Sequence, residues 1–124
     1  MIGFEREMKK RGAGLQTYSL VGLGSALFAI LTFQLLNQSG ASAIDPTHLI
    51  QAVATGIGFI GAGVVFRGEK HVEGLTTAAG LWVVSAIGIA VAMELYTEAV
   101  AATLLTLFVL VVFGFFERRI FGKG

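Results

Sequence analysis

The sequence predicts an all-α protein, a polytopic membrane helix bundle with four visible transmembrane spans, and three observations carry that prediction. Hydrophobic residues make up 55% of the 124, charged residues only 14%, and the mean hydropathy is +0.79. A soluble domain carries roughly a quarter charged residues, so most of this surface is expected to meet lipid. The apolar residues fall into four uncharged runs, each near the roughly 20 residues a helix needs to cross about 30 Å of hydrocarbon. Finally, four spans would bring all nine Lys and Arg to one side.

Taken in order, residues 1–14 are mostly polar and carry Glu5, Arg6, Glu7, Lys9, Lys10 and Arg11. Gly12 to Ile44 is uncharged, with an apolar core from about Leu15 to Leu36, the first span. That span is too long for a signal-peptide core, so the membrane segments themselves are expected to direct insertion. Its first half holds Gly22, Gly24, Ser25 and Ala26, small residues that suggest a packed face. The connector from Asn37 to Asp45 is turn-rich, and Asp45-Pro46 reads as a helix start, a capping carboxylate followed by proline at the first helical position.

The second span, Pro46 to Phe66, contains Gly56-Ile-Gly58-Phe-Ile-Gly61-Ala-Gly63. Glycines in a membrane helix let a neighbouring backbone approach closely, so this helix is expected to be the packing centre, with Gly22 and Gly24 contributing from the first. Gly56, Gly58 and Gly61 also spell GxGxxG. A dinucleotide turn needs a preceding strand and an acidic residue about twenty positions on. Ala79 and Gly80 stand there instead, which excludes that reading.

A short charged loop, Arg67 to Gly74, leads to the third span, Gly74 to Met93, where Thr76 or Thr77 can cap. The turn Glu94 to Glu98 offers Thr97 as a cap, and Glu98 complements the dipole of the fourth span, Ala99 to Phe116. That span is aliphatic and phenylalanine-rich, as expected of a lipid-facing helix. The N-terminus, the 67–74 loop and the C-terminus share nine cations and five glutamates, net +4; the other side carries only Asp45, Glu94 and Glu98, net −3. The positive-inside rule puts the basic loops and the C-terminus in the cytoplasm, with anionic headgroups favoured there.

Few residues offer chemistry. Glu5, Arg6, Glu7, Arg67 and Glu73 fall at cytoplasmic ends of different helices, either as a solvated interfacial set or as a docking surface. Gln51 and Thr55 share a helix face and can bond a neighbouring helix or line a polar cavity. Trp82, near mid-span, needs a partner for its indole N–H. His48 and His71 have no companions at metal-ligand spacing, and cysteine is absent. No catalytic set or phosphate loop can be assembled, so neither an enzyme nor a cofactor, metal or nucleic-acid site is expected. Apart from His48 near an interface, the spans lack the ionisable residue that a proton or divalent-cation path usually shows.

Gly3-Phe-Glu5-Arg6-Glu7, Gly14-Leu15-Gln16-Thr17, the Gly56–Gly63 run and Val72-Glu-Gly74-Leu75-Thr76-Thr77-Ala78-Ala79 with Trp82 resemble, in order and spacing, the MgtC/SapB family of bacterial inner-membrane proteins. The resemblance covers residues 1–120. It implies a multi-pass plasma-membrane protein associated with magnesium limitation, acid adaptation and intracellular survival, whose best-studied members restrain the F-type ATP synthase. It also implies one further helix before residue 1, since family members usually have one ahead of the Glu-Arg-Glu motif. Residues 121–124 leave room for a short cytoplasmic tail and none for the soluble domain that virulence-associated members carry. The expected function is regulation by helix contact with another membrane complex, with a magnesium or other cation transporter as the alternative; small-residue faces also allow a homo-oligomer.

Overall fold

Hydrocarbon offers backbone N–H and C=O groups no water, so each apolar run must satisfy them internally as a helix. The computed structural model describes residues 1–9, 13–39, 45, 47–67 and 72–121. A short helix α1 (Ile2–Met8) precedes α2 (Leu15–Ser39) and α3 (Thr47–Val64). A two-residue antiparallel ladder, β1 (Phe66–Arg67) with β2 (Val72–Glu73), pairs Phe66 with Glu73 and Arg67 with Val72. Then come α4 (Leu75–Ala92) and α5 (Tyr96–Phe108), which continues through a π-helical turn, Val109–Phe113, into α6 (Gly114–Phe121). Among the described residues four stretches are long and apolar enough to cross a membrane: Leu15–Asn37, Thr47–Val64, Leu75–Ala92 and Tyr96–Glu117. The bundle is all-α apart from the small ladder.

The expected packing centre is corrected. α4, not the glycine-rich α3, lies at the middle: α2, α3 and α5 all pack on it, while α2 and α3 barely meet. Leu81 of α4 is fully buried, and Thr77, Gly80, Ser85, Gly88 and Ile89 share its covered surface. A Cβ on Gly88 would overlap the Gly22 carbonyl, and one on Gly80 would overlap the Tyr18 hydroxyl. Gly22 itself faces Val84 at 3.4 Å, and Gly61 faces Ala78 at 3.4 Å. Gly24, Gly56, Gly58 and Gly63 have open space where a side chain would stand. Glycine abundance pointed to α3, but close approach depends on which face meets a neighbour.

Capping also differs from expectation. α4 begins at Gly74, whose φ of +85° and closeness to the Val64 carbonyl leave no room for a side chain; neither Thr76 nor Thr77 caps it. α5 begins at Leu95 without a side-chain cap from Thr97. Between them, Leu95 N–H donates to Ala90 O (2.9 Å) and Glu94 N–H to Val91 O (3.1 Å), the paired closure of a Schellman motif with Glu94 left-handed at φ 61°. Asp45 Oδ1 accepts the Thr47 N–H at 2.9 Å, as the expected cap requires; Pro46 lies outside the described residues.

Candidate functional site

Two features remain after packing is accounted for: a charged cluster at the basic end of the bundle and an open groove along its side. The cluster is built by α1. Ile2, Gly3 and Arg6 form its covered face, while Phe4 and Met8 point outward. Gly3 permits the approach, since a Cβ there would lie 2.9 Å from Tyr18 Cβ and 3.0 Å from Leu15 Cα. Glu7 Oε2 accepts the Leu15 N–H at 3.0 Å, capping α2 across a chain reversal and placing negative charge at its positive dipole end. Gly14 clears space for that carboxylate, which a side chain would strike.

Beside this cap, Arg6 is 4% exposed, with Nε 3.2 Å from Glu5 Oε2, and Lys9 closes on the other Glu5 oxygen. Neither Glu5 oxygen nor Arg6 Nε has a well-aligned hydrogen bond, so attraction within the triad is mainly Coulombic. The Tyr18 hydroxyl, next in from the cluster, donates to the Thr77 carbonyl at 3.0 Å and ties α2 to the first turn of α4. Sequence reasoning named Glu5, Arg6 and Glu7, and the structure brings these together. Arg67 and Glu73 stand on the ladder at the same end; the Arg67 side chain and His71 lie outside what is described. Tyr18, Gly80 and Gly88 were missed, and Thr77 was read as a cap and not as part of the packed face. Their signal was available: Thr77, Gly80, Ser85 and Gly88 repeat at helical spacing along one face of α4.

The groove lies between α2 and α3, with a volume of about 900 Å³. Leu20, Val21, Phe28 and Leu35 line one wall, Leu49, Val53, Ile57 and Ile60 the other, and Gly24 and Gly56 leave gaps in each. Two of its hydroxyls are already used, Ser25 donating to Val21 O at 2.9 Å and Thr32 to Phe28 O at 2.8 Å; Thr17 also lines the groove. Asp45 and His48 mark the end remote from α1. The Thr47 backbone N–H holds the Asp45 carboxyl below its ordinary value.

Gln51 and Thr55 do not line this groove. Thr55 donates to the Gln51 carbonyl at 2.8 Å, and the Gln51 side chain is exposed. Trp82 is 56% exposed, and among the described residues its indole N–H has no hydrogen-bond partner. Among the described residues no group of three or more His, Cys, Asp or Glu could hold a metal ion.

Comparison with known proteins adds relatives. The MgtC family profile matches residues 1–119. The Escherichia coli K12 protein named "Putative magnesium transporter YhiD" is 40% identical over 126 residues, covering 99% of this chain and 59% of that protein. "Protein MgtC" of Brucella abortus (strain 2308) is 39% identical over 83% of this chain and 41% of its own. "Protein SrpB" of Synechococcus elongatus is 36% identical over 89% and 65%. The chain thus spans less than two-thirds of the length of each of these relatives. No solved structure matches it.

Proposed function

The chain belongs to the MgtC family, and from that premise we propose that it is a regulator that works by helix-to-helix contact with another membrane complex. It is a multi-pass bacterial membrane protein, its four apolar helices agreeing with its relatives. The observation that carries the regulatory reading is the lack of paired ionisable residues within the spans. Ser25, Thr32, Thr55, Ser85, Thr103 and Thr106 each donate to a carbonyl of their own helix, at 2.6–2.9 Å. These bonds satisfy the O–H donors while the oxygens keep their lone pairs, so the reading rests on the spans themselves, which hold no paired ionisable residues of the kind a proton or divalent-cation path usually shows.

With the basic end cytoplasmic, as the positive-inside rule directs, the exposed Glu7 and Glu73 form the docking surface with Arg67 on the same ladder, and the covered pair Arg6 and Glu5 holds α1 in place beneath it. By family resemblance the F-type ATP synthase is the first partner to test. ATP-driven proton pumping in inverted vesicles should fall when the chain is co-expressed and recover with the exposed-site variant Glu73→Lys at equal membrane abundance. Unchanged pumping, with no synthase cross-linked to the chain, would refute that partner.

The magnesium transport stated in the name of YhiD favours a second reading, a cation transporter. It requires saturable flux by the purified chain alone, with no partner present.

A further inference from the structure

We propose that the groove between α2 and α3 binds a phospholipid with a primary ammonium headgroup, its acyl chains lying between the helices and its head at Asp45 and His48. Size favours lipid over a helix. An α-helix with its side chains is about 10–12 Å across, so a length matching the bilayer core fills on the order of 2,000–3,000 Å³. The groove holds about 900 Å³. The walls suit tails because Ser25 and Thr32 present no spare donor, and the open positions before Gly24 and Gly56 widen the slot. Water is a poor filler for such a surface, and an empty slot forfeits dispersion contacts.

Charge selects the head. Among the described residues Asp45 is the only acidic one along the groove, and no Lys or Arg lines it. The Asp45 carboxylate accepts from the Thr47 N–H and from its hydroxyl, and the four lone-pair sites of a carboxylate still leave acceptor capacity for an ammonium. His48 can donate to the adjoining phosphate. An anionic headgroup would face Asp45 with like charge. A second copy would bring only Asp45, Glu94 and Glu98 to this end, with no cation. Complementarity therefore favours phosphatidylethanolamine, in the outer leaflet on the orientation proposed above. The inference does not depend on the regulatory reading.

Native mass spectrometry of the full chain released from nanodiscs, in equal parts phosphatidylethanolamine and phosphatidylglycerol with matched tails, tests it. One phosphatidylethanolamine should remain bound, preferred about fivefold, the scale of one partly exposed ionic contact. Asp45→Asn keeps a capping side chain and should erase the preference without loss of total lipid. Gly24→Leu and Gly56→Leu, each directed into open space, should remove both lipids, whereas Leu105→Ala on an outward face should change nothing. Equal retention of the two lipids, retention unaffected by the two leucines, or a wild-type dimer that the leucines abolish would each overturn the proposal.

Discussion

Arg6 illustrates how one side chain binds the basic end together. It is buried beside the largely covered Glu5 and packed where α1 crosses the start of α2. Removing one member of a buried pair strands the other charge. Arg6→Ala should therefore cost about 3 kcal/mol, at the low end for such pairs because Lys9 remains beside Glu5. The double variant Arg6→Met with Glu5→Gln should recover most of that loss, as read by unfolding in mixed micelles. The glycines divide just as sharply. Gly80→Ala drives a methyl into the Tyr18 hydroxyl and should cost about 1–3 kcal/mol, while Gly63→Ala meets nothing and should leave stability unchanged or slightly raised. Composition makes these two glycines alike; only their neighbours distinguish them.

At the scale of elements, the spans were legible and their ends were not. An uncharged run between Asp45 and Arg67 has to be helical in hydrocarbon. Whether Gly74 or Thr76 begins the next helix depends on a positive φ and on the nearby Val64 carbonyl, which sequence does not display. The α4–α5 turn holds a similar surprise, a left-handed Glu94 where glycine is the usual occupant. Glu94→Gly should stabilise the turn by about 0.5–1 kcal/mol, seen as slower amide exchange at Leu95. The Asp45 cap was legible, and its pH dependence follows. With its folded pKa below the ordinary 3.8, the cap contributes fully above that value and fades as pH falls through the lowered one. Amide exchange at Thr47 should accelerate over that acidic window in the parent chain and show no such transition in Asp45→Asn.

For the whole molecule, α4 is a hub against which three other spans lean, and the separation of α2 from α3 leaves the side groove. The charged cluster was partly legible because Glu5, Arg6 and Glu7 flank an apolar run. The groove was not, because it arises from two helices failing to touch, and no residue pattern records a distance. The uncharged spans support the proposal that this chain acts through contact with a partner and not as an ion path. Magnesium entry into proteoliposomes containing only the purified chain, followed with an encapsulated fluorescent indicator, tests that claim most directly. Entry should match that of protein-free liposomes at every magnesium concentration; saturable uptake that rises with the amount of protein would contradict it.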